Sequence, residues 1–223
     1  MKILVRLAPV LCLAALSISS AAAKADTLKL TSTPTGSTGP YNLSLDGAAS
    51  EAMFCINDNL SVQVGESWNV TVVEGADLGS QGFSSSTIQE YDEEAFIYNL
   101  LGTTLTEKIG GHTYTHTATD ADVQDALWKI FDSGENINGD TWAQLLVSEA
   151  TSSPISQSVI DSVTFYIPTG TGIKNGGRDP GLPQTFIGDN PDPPPAVPEP
   201  SSLILMGSGL AGLAGAVKRR MAR

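Results

Sequence analysis

The chain has 223 residues, two cysteines and a formal net charge of −12. All 24 acidic residues fall between Asp26 and Glu199, where the only bases are Lys29, Lys108, Lys129, Lys174 and Arg178. So acidic a body repels phosphate, which argues against nucleic acid and anionic lipid as partners and for a solvated, soluble surface.

At the N-terminus, Met1-Lys2 and Arg6 form a basic region, Leu7–Ile18 is an apolar stretch of secretory length, and Ala21–Ala25 supplies small residues. These features predict a signal peptide over 1–25, handed to signal peptidase, with cleavage after Ala23 or, preferably, Ala25. Cys12 leaves with it, and Cys55 stays behind alone, so no internal disulfide can form. An unpaired cysteine in an exported chain needs an account.

The body, 26–188, is the size of one domain with a real core. "TLKLTS", "YNLSLDG", "AMFCIN", "LSVQV" and "WNVTVVEG" alternate with period two and predict five short strands, the last two forming a hairpin about Gly65-Glu66. Thr33–Pro40, "TPTGSTGP", reads as a low-complexity loop. The period then changes. From Ser86 a helix with Ile88, Tyr91, Ala95 and Tyr98 on one face runs towards a C-cap at Gly102. A second helix has Thr119 and Asp122 at capping-box spacing and a stripe of Val123, Ala126, Leu127, Ile130 and Phe131. A third starts at an Asp140 cap and buries Trp142, Leu145 and Leu146. Strand alternation returns with Val163, Phe165 and Ile167, and Gln184–Ile187 can add one more strand. Strands, then helices, then strands predict an α+β fold: a β-rich single domain, sandwich or barrel-like, with about three inserted helices.

Few motifs carry chemistry. His112 and His116 in "HTYTH" lack a third ligand for zinc, and "DSGENINGD" does not fit the spacing of an EF-hand. There is no Gly-x-Ser-x-Gly and no phosphate-cradling loop, and Glu93 and Glu94 are adjacent on a helix, which is wrong for a hydrolase dyad. The chain reads as a protein without enzymatic turnover, cofactor or metal. Cys55 in "FCIN" and Gln124 in "VQDALW" remain. A thiol held against a carboxamide can expel ammonia and leave an internal thioester, an activated acyl group for a partner's amine or hydroxyl.

The aromatic-Cys-aliphatic strand and the aliphatic-Gln-x-Ala-aliphatic-Trp helix start, with "EAFIYNLLG" between them and "AQLLVSEA" after, resemble the thioester domains of bacterial surface adhesins over about 41–167. The resemblance implies that Cys55 gives the thiol and Gln124 the acyl group of a bond to a surface ligand. The competing reading is a buried reduced Cys55 and a helix-start Gln124 making ordinary hydrogen bonds, in a structural or carbohydrate-binding matrix protein whose surface or polysaccharide ligand the sequence does not name.

Beyond the body, 189–197 is a proline-rich linker, part of an extended stretch that starts near Asp179. At 198–223, Pro198-Glu199-Pro200 is followed by the apolar run Leu203–Val217 and then Lys218, Arg219, Arg220 and Arg223. As a helix, that run spans roughly 22 Å against a hydrocarbon core of ~30 Å, and four glycines weaken it. It makes a poor permanent anchor, with its basic end held in the cytoplasm. The three parts in this order resemble the PEP-CTERM sorting signal of Gram-negative bacteria. That resemblance implies export through the inner membrane, transient anchoring by a C-terminal hydrophobic helix, cutting near Pro198-Glu199-Pro200 by an exosortase-type membrane protease, and delivery to the cell surface or beyond.

Overall fold

The computed structural model describes residues 25–34, 38–170 and 183–190. The signal peptide, most of the linker and the sorting tail with its hydrophobic helix lie outside the described residues.

Six strands close a barrel. β1 (Asp26–Ser32), β2 (Tyr41–Leu45), β3 (Glu51–Cys55), β4 (Ser67–Glu74), β7 (Val163–Pro168) and β8 (Phe186–Asp189) follow the order β1-β2-β3-β8-β7-β4, each neighbour antiparallel. Closure selects the barrel over the sandwich. Leu28, Leu30, Leu43, Met53, Cys55, Trp68, Val70, Tyr166 and Phe186 form one buried cluster with Trp128. Phe54 and Ile56, one residue to either side of Cys55, belong instead to the core shared with the helices, as strand alternation requires.

The helical layer consists of α1 (Ser85–Asn99), α2 (Asp120–Phe131), α3 (Thr141–Ser152) and the short α4 (Gln157–Ile160). Ser84 caps α1 by accepting the Thr87 N–H; Asp140 caps α3 by accepting the N–H groups of Trp142 and Ala143. α2 opens on a complete capping box between Thr119 and Asp122. Each cap satisfies N–H groups that have no partner within their own helix. Tyr91 joins the layers, its ring centroid 4.7 Å from that of Phe165 and 5.2 Å from that of Phe131.

Three local expectations need correction. "LSVQV" is not a strand: Leu60–Val64 is irregular and Val64 is exposed. β4 already pairs with β1 on one edge and β7 on the other, so no edge is left for a hairpin mate. The first half of the body therefore holds four strands, not five. His112 and His116 lie on a strand that is half of an unforeseen hairpin of β5 (Thr104–Ile109) and β6 (His112–Thr117). Its two-residue turn, Gly110-Gly111, has both φ angles positive, the conformation such hairpins require. Finally, the buried face of α1 includes Glu93 and Glu94 as well as Tyr91, Ala95 and Ile97.

Candidate functional site

Cys55 ends β3, where its partner on one side is Phe186 of β8. On the other side, the β2 ladder stops at Tyr41↔Met53, because the chain before Tyr41 turns away through Gly39-Pro40. The backbone N–H and C=O of Cys55 are thus left without a strand. The side chain of Gln124, the fifth residue of α2, fills that place. Its Oε1 accepts the Cys55 N–H at 3.3 Å and its Nε2 donates to the Cys55 carbonyl. Both residues are fully buried. The two sequence-selected residues, 69 positions apart, are therefore in direct contact.

Gly39 closes over this pair. A Cβ at that position would overlap Gln124 Oε1 and crowd the Phe54 ring, so only glycine leaves the carboxamide its room. The sequence placed Gly39 in a featureless loop, and nothing there marks its role. Between Gly39-Pro40 and the first turn of α2 runs a surface cleft of about 430 Å³, lined also by Pro34, Thr38, Thr119, Asp120 and Ala121.

The thiol is a donor here: Cys55 Sγ–H points to the Asn57 carbonyl oxygen at 3.4 Å. Asn57 is itself anchored, its side-chain oxygen accepting the Thr185 N–H and its carbonyl accepting from Gln184. Burial pushes the thiol pKa up to about 12. The Trp128 indole N–H and the Asn57 backbone work against that rise, while Glu94 and Asp58 add to it. Trp128 is near enough to act on the thiol, yet its indole N–H has no hydrogen-bond partner among the described residues. Trp128 lies one turn beyond Gln124 and in the same buried cluster as Cys55.

Glu94 is fully buried, and neither carboxyl oxygen has a partner among the described residues. Burial, then the nearby Glu93 and Glu90, drive its pKa well above the ordinary glutamate value. Its neighbour Glu93 accepts from Gln89 Nε2. Sequence spacing excluded a dyad of these two but gave no sign that Glu94 is inside.

His116, considered as a metal ligand, is tied up otherwise. Its Nε2 meets Asp122 Oδ2 at 2.7 Å, and its ring stacks on Trp142 at 4.8 Å and 14°. His112 is exposed on the same hairpin. Among the described residues, no group of three or more His, Cys, Asp or Glu side chains is arranged to hold a metal.

The chain's likeness to known proteins lies at its other end. Residues 196–220 match the PEP-CTERM protein-sorting motif. The match supports an exported protein with exosortase as its processing partner, anchored transiently in the membrane and then delivered to the cell surface. No curated protein and no solved structure matches the chain significantly. Among the described residues, no helix is long and apolar enough to cross a membrane. The Pro198-Glu199-Pro200 triplet lies within the matched segment.

Proposed function

We propose that this is a surface-delivered protein whose barrel domain attaches covalently to a ligand through a Cys55–Gln124 thioester, used once and not turned over. The observation that carries this reading is the seating of the Gln124 carboxamide on both backbone groups of Cys55. Such placement replaces a bimolecular encounter by a fixed neighbour, the condition under which an otherwise prohibitive acyl transfer becomes feasible.

The reaction balances without a co-reactant. Cys55 releases its hydrogen bond to Asn57, the sulfur attacks Gln124 Cδ, and negative charge gathers on Oε1. The Cys55 N–H, already bonded to that oxygen, supports the charge. The C–N bond breaks, and nitrogen leaves as ammonia carrying the thiol proton. An amine or hydroxyl of the ligand later takes the acyl group, its proton passes to sulfur, and the Cys55 thiol is restored. Gly39 lies between the carboxamide and the surface cleft that it helps to line, and burial of the pair shelters the acyl group from water.

A second reading draws on the thiol: a protonated sulfur with its pKa pushed up to about 12 is a poor nucleophile. Gln124 is then only a pin between α2 and β3, in a non-covalent structural or carbohydrate-binding matrix protein. Intact mass of the purified domain decides between the two. A thioester leaves the chain lighter by one ammonia, and Cys55→Ala restores the full mass. A wild-type chain of full mass, with Cys55 open to thiol reagents after unfolding, sinks the covalent reading.

A further inference from the structure

Trp128 is more than nine-tenths buried, yet its indole N–H has no hydrogen-bond partner among the described residues. Leaving a buried donor unmade is costly, so such a group in a packed core calls for a reason. The helix supplies one. Gln124 is pinned to the Cys55 backbone, and the residue four positions on faces the same way one turn later. Trp128 accordingly packs with Cys55 in the barrel cluster, apart from the stripe of Val123, Ala126 and Leu127 that faces the helical layer.

The sulfur beside it is at present a donor, committed to the Asn57 carbonyl, and a neutral thiol is only a weak acceptor. Two donors therefore share one buried cluster, neither bonded to the other. That mismatch disappears once the sulfur loses its proton, since a thiolate accepts strongly and the indole N–H has no competing bond to give up.

We propose that the Trp128 indole N–H is the donor that holds the Cys55 sulfur as it becomes anionic on the way to the thioester. The role rests on the covalent reading above. The proton leaves with the ammonia nitrogen, the N–H bonds the sulfur while charge is present, and the bond relaxes as sulfur joins Gln124 Cδ. The direction in which Trp128 moves the thiol, against burial, Glu94 and Asp58, agrees with this.

The test follows closure of the thioester by intact mass, after ammonia has reopened it and been removed. Trp128→Phe removes the N–H but also volume. Site-specific replacement of Trp128 by benzothienylalanine, which puts sulfur in place of N–H at nearly constant shape, removes the donor alone. The expected result is closure roughly tenfold slower at every pH tried, with circular dichroism unchanged. In parallel, the Trp128 indole N–H resonance is expected to move on Cys55→Ala. Closure as fast as wild type in the benzothienyl chain, or an indole resonance unmoved by Cys55→Ala, overturns the proposal. A wild-type chain that never loses ammonia defeats the covalent reading itself, and the indole resonance then still decides whether Trp128 addresses the sulfur.

Discussion

His116 Nε2 lies 2.7 Å from Asp122 Oδ2, the oxygen that also accepts the Thr119 N–H and hydroxyl at the start of α2. One carboxylate therefore closes the capping box and fastens the β5–β6 hairpin to it, two residues before Gln124.

Asp122→Ala is expected to destabilise the domain by about 1–2 kcal/mol, the usual cost of a lost cap, in urea unfolding at neutral pH. Burial alone raises the Asp122 pKa, but the Thr119 bonds and His116 outweigh it and hold the group below the ordinary aspartate range. A depressed folded pKa gives stability that is full above the unfolded value and fades as pH falls through the folded one. The gap between wild type and variant should accordingly narrow in acid.

The capping box could be read from Thr119 and Asp122 alone because it is local, fixed by three-residue spacing. The stripe of α2 and the strand alternation of β1–β4 and β7 were legible for the same reason, whereas α3 buries Ala143, Leu146 and Ala150 and leaves Trp142 and Leu145 only partly covered. Closure of the barrel was legible only in part: Gln184–Ile187 reads as a last strand, but β8 pairs with β3 across some 130 residues, and a four-residue strand carries too little pattern to name its partner. Cys55 and Gln124 stood out as chemistry, but their contact depends on where β2 ends. Gly39 and Glu94 were silent, since a loop glycine and a helical glutamate look the same inside or out.

Gly39→Ala is expected to displace the Gln124 carboxamide, because its methyl group would occupy the space of Oε1. The measurement is the fraction of chain lacking ammonia, which should fall sharply, together with a modest loss in thermal stability from the Cys55 backbone bonds given up. An alanine variant with undiminished ammonia loss would show that the glycine does not guard the site.

Glu94→Gln should stabilise the domain, increasingly so as pH rises. The folded pKa of Glu94 lies well above its unfolded value, so folding takes up a proton. Stability is full below the ordinary glutamate range and drains away as pH climbs through the raised value. Melting curves of wild type and variant are expected to be close at about pH 5 and to separate by about pH 8, with the glutamine form higher. Parallel curves across that range would mean that Glu94 reaches solvent or an unseen partner.

Deletion of 198–223 is expected to release the protein from its producing cell, followed by fractionation and immunoblot. The matched motif falls almost wholly within the deleted segment. Surface retention without it would remove the exosortase route.

β8 runs from Phe186, the pairing partner of Cys55, to Asp189, about 10 Å further along. β3 runs the other way beside it. A pull on the chain beyond Asn190 therefore reaches β8 first, and β8 is paired with β3 on one side and β7 on the other, so it cannot leave without breaking both ladders. On the covalent reading the ligand is carried by Gln124, whose side chain is itself seated on the Cys55 backbone at the far end of β3. The exit strand is thus held from both sides at the point where an attached cell would drag it.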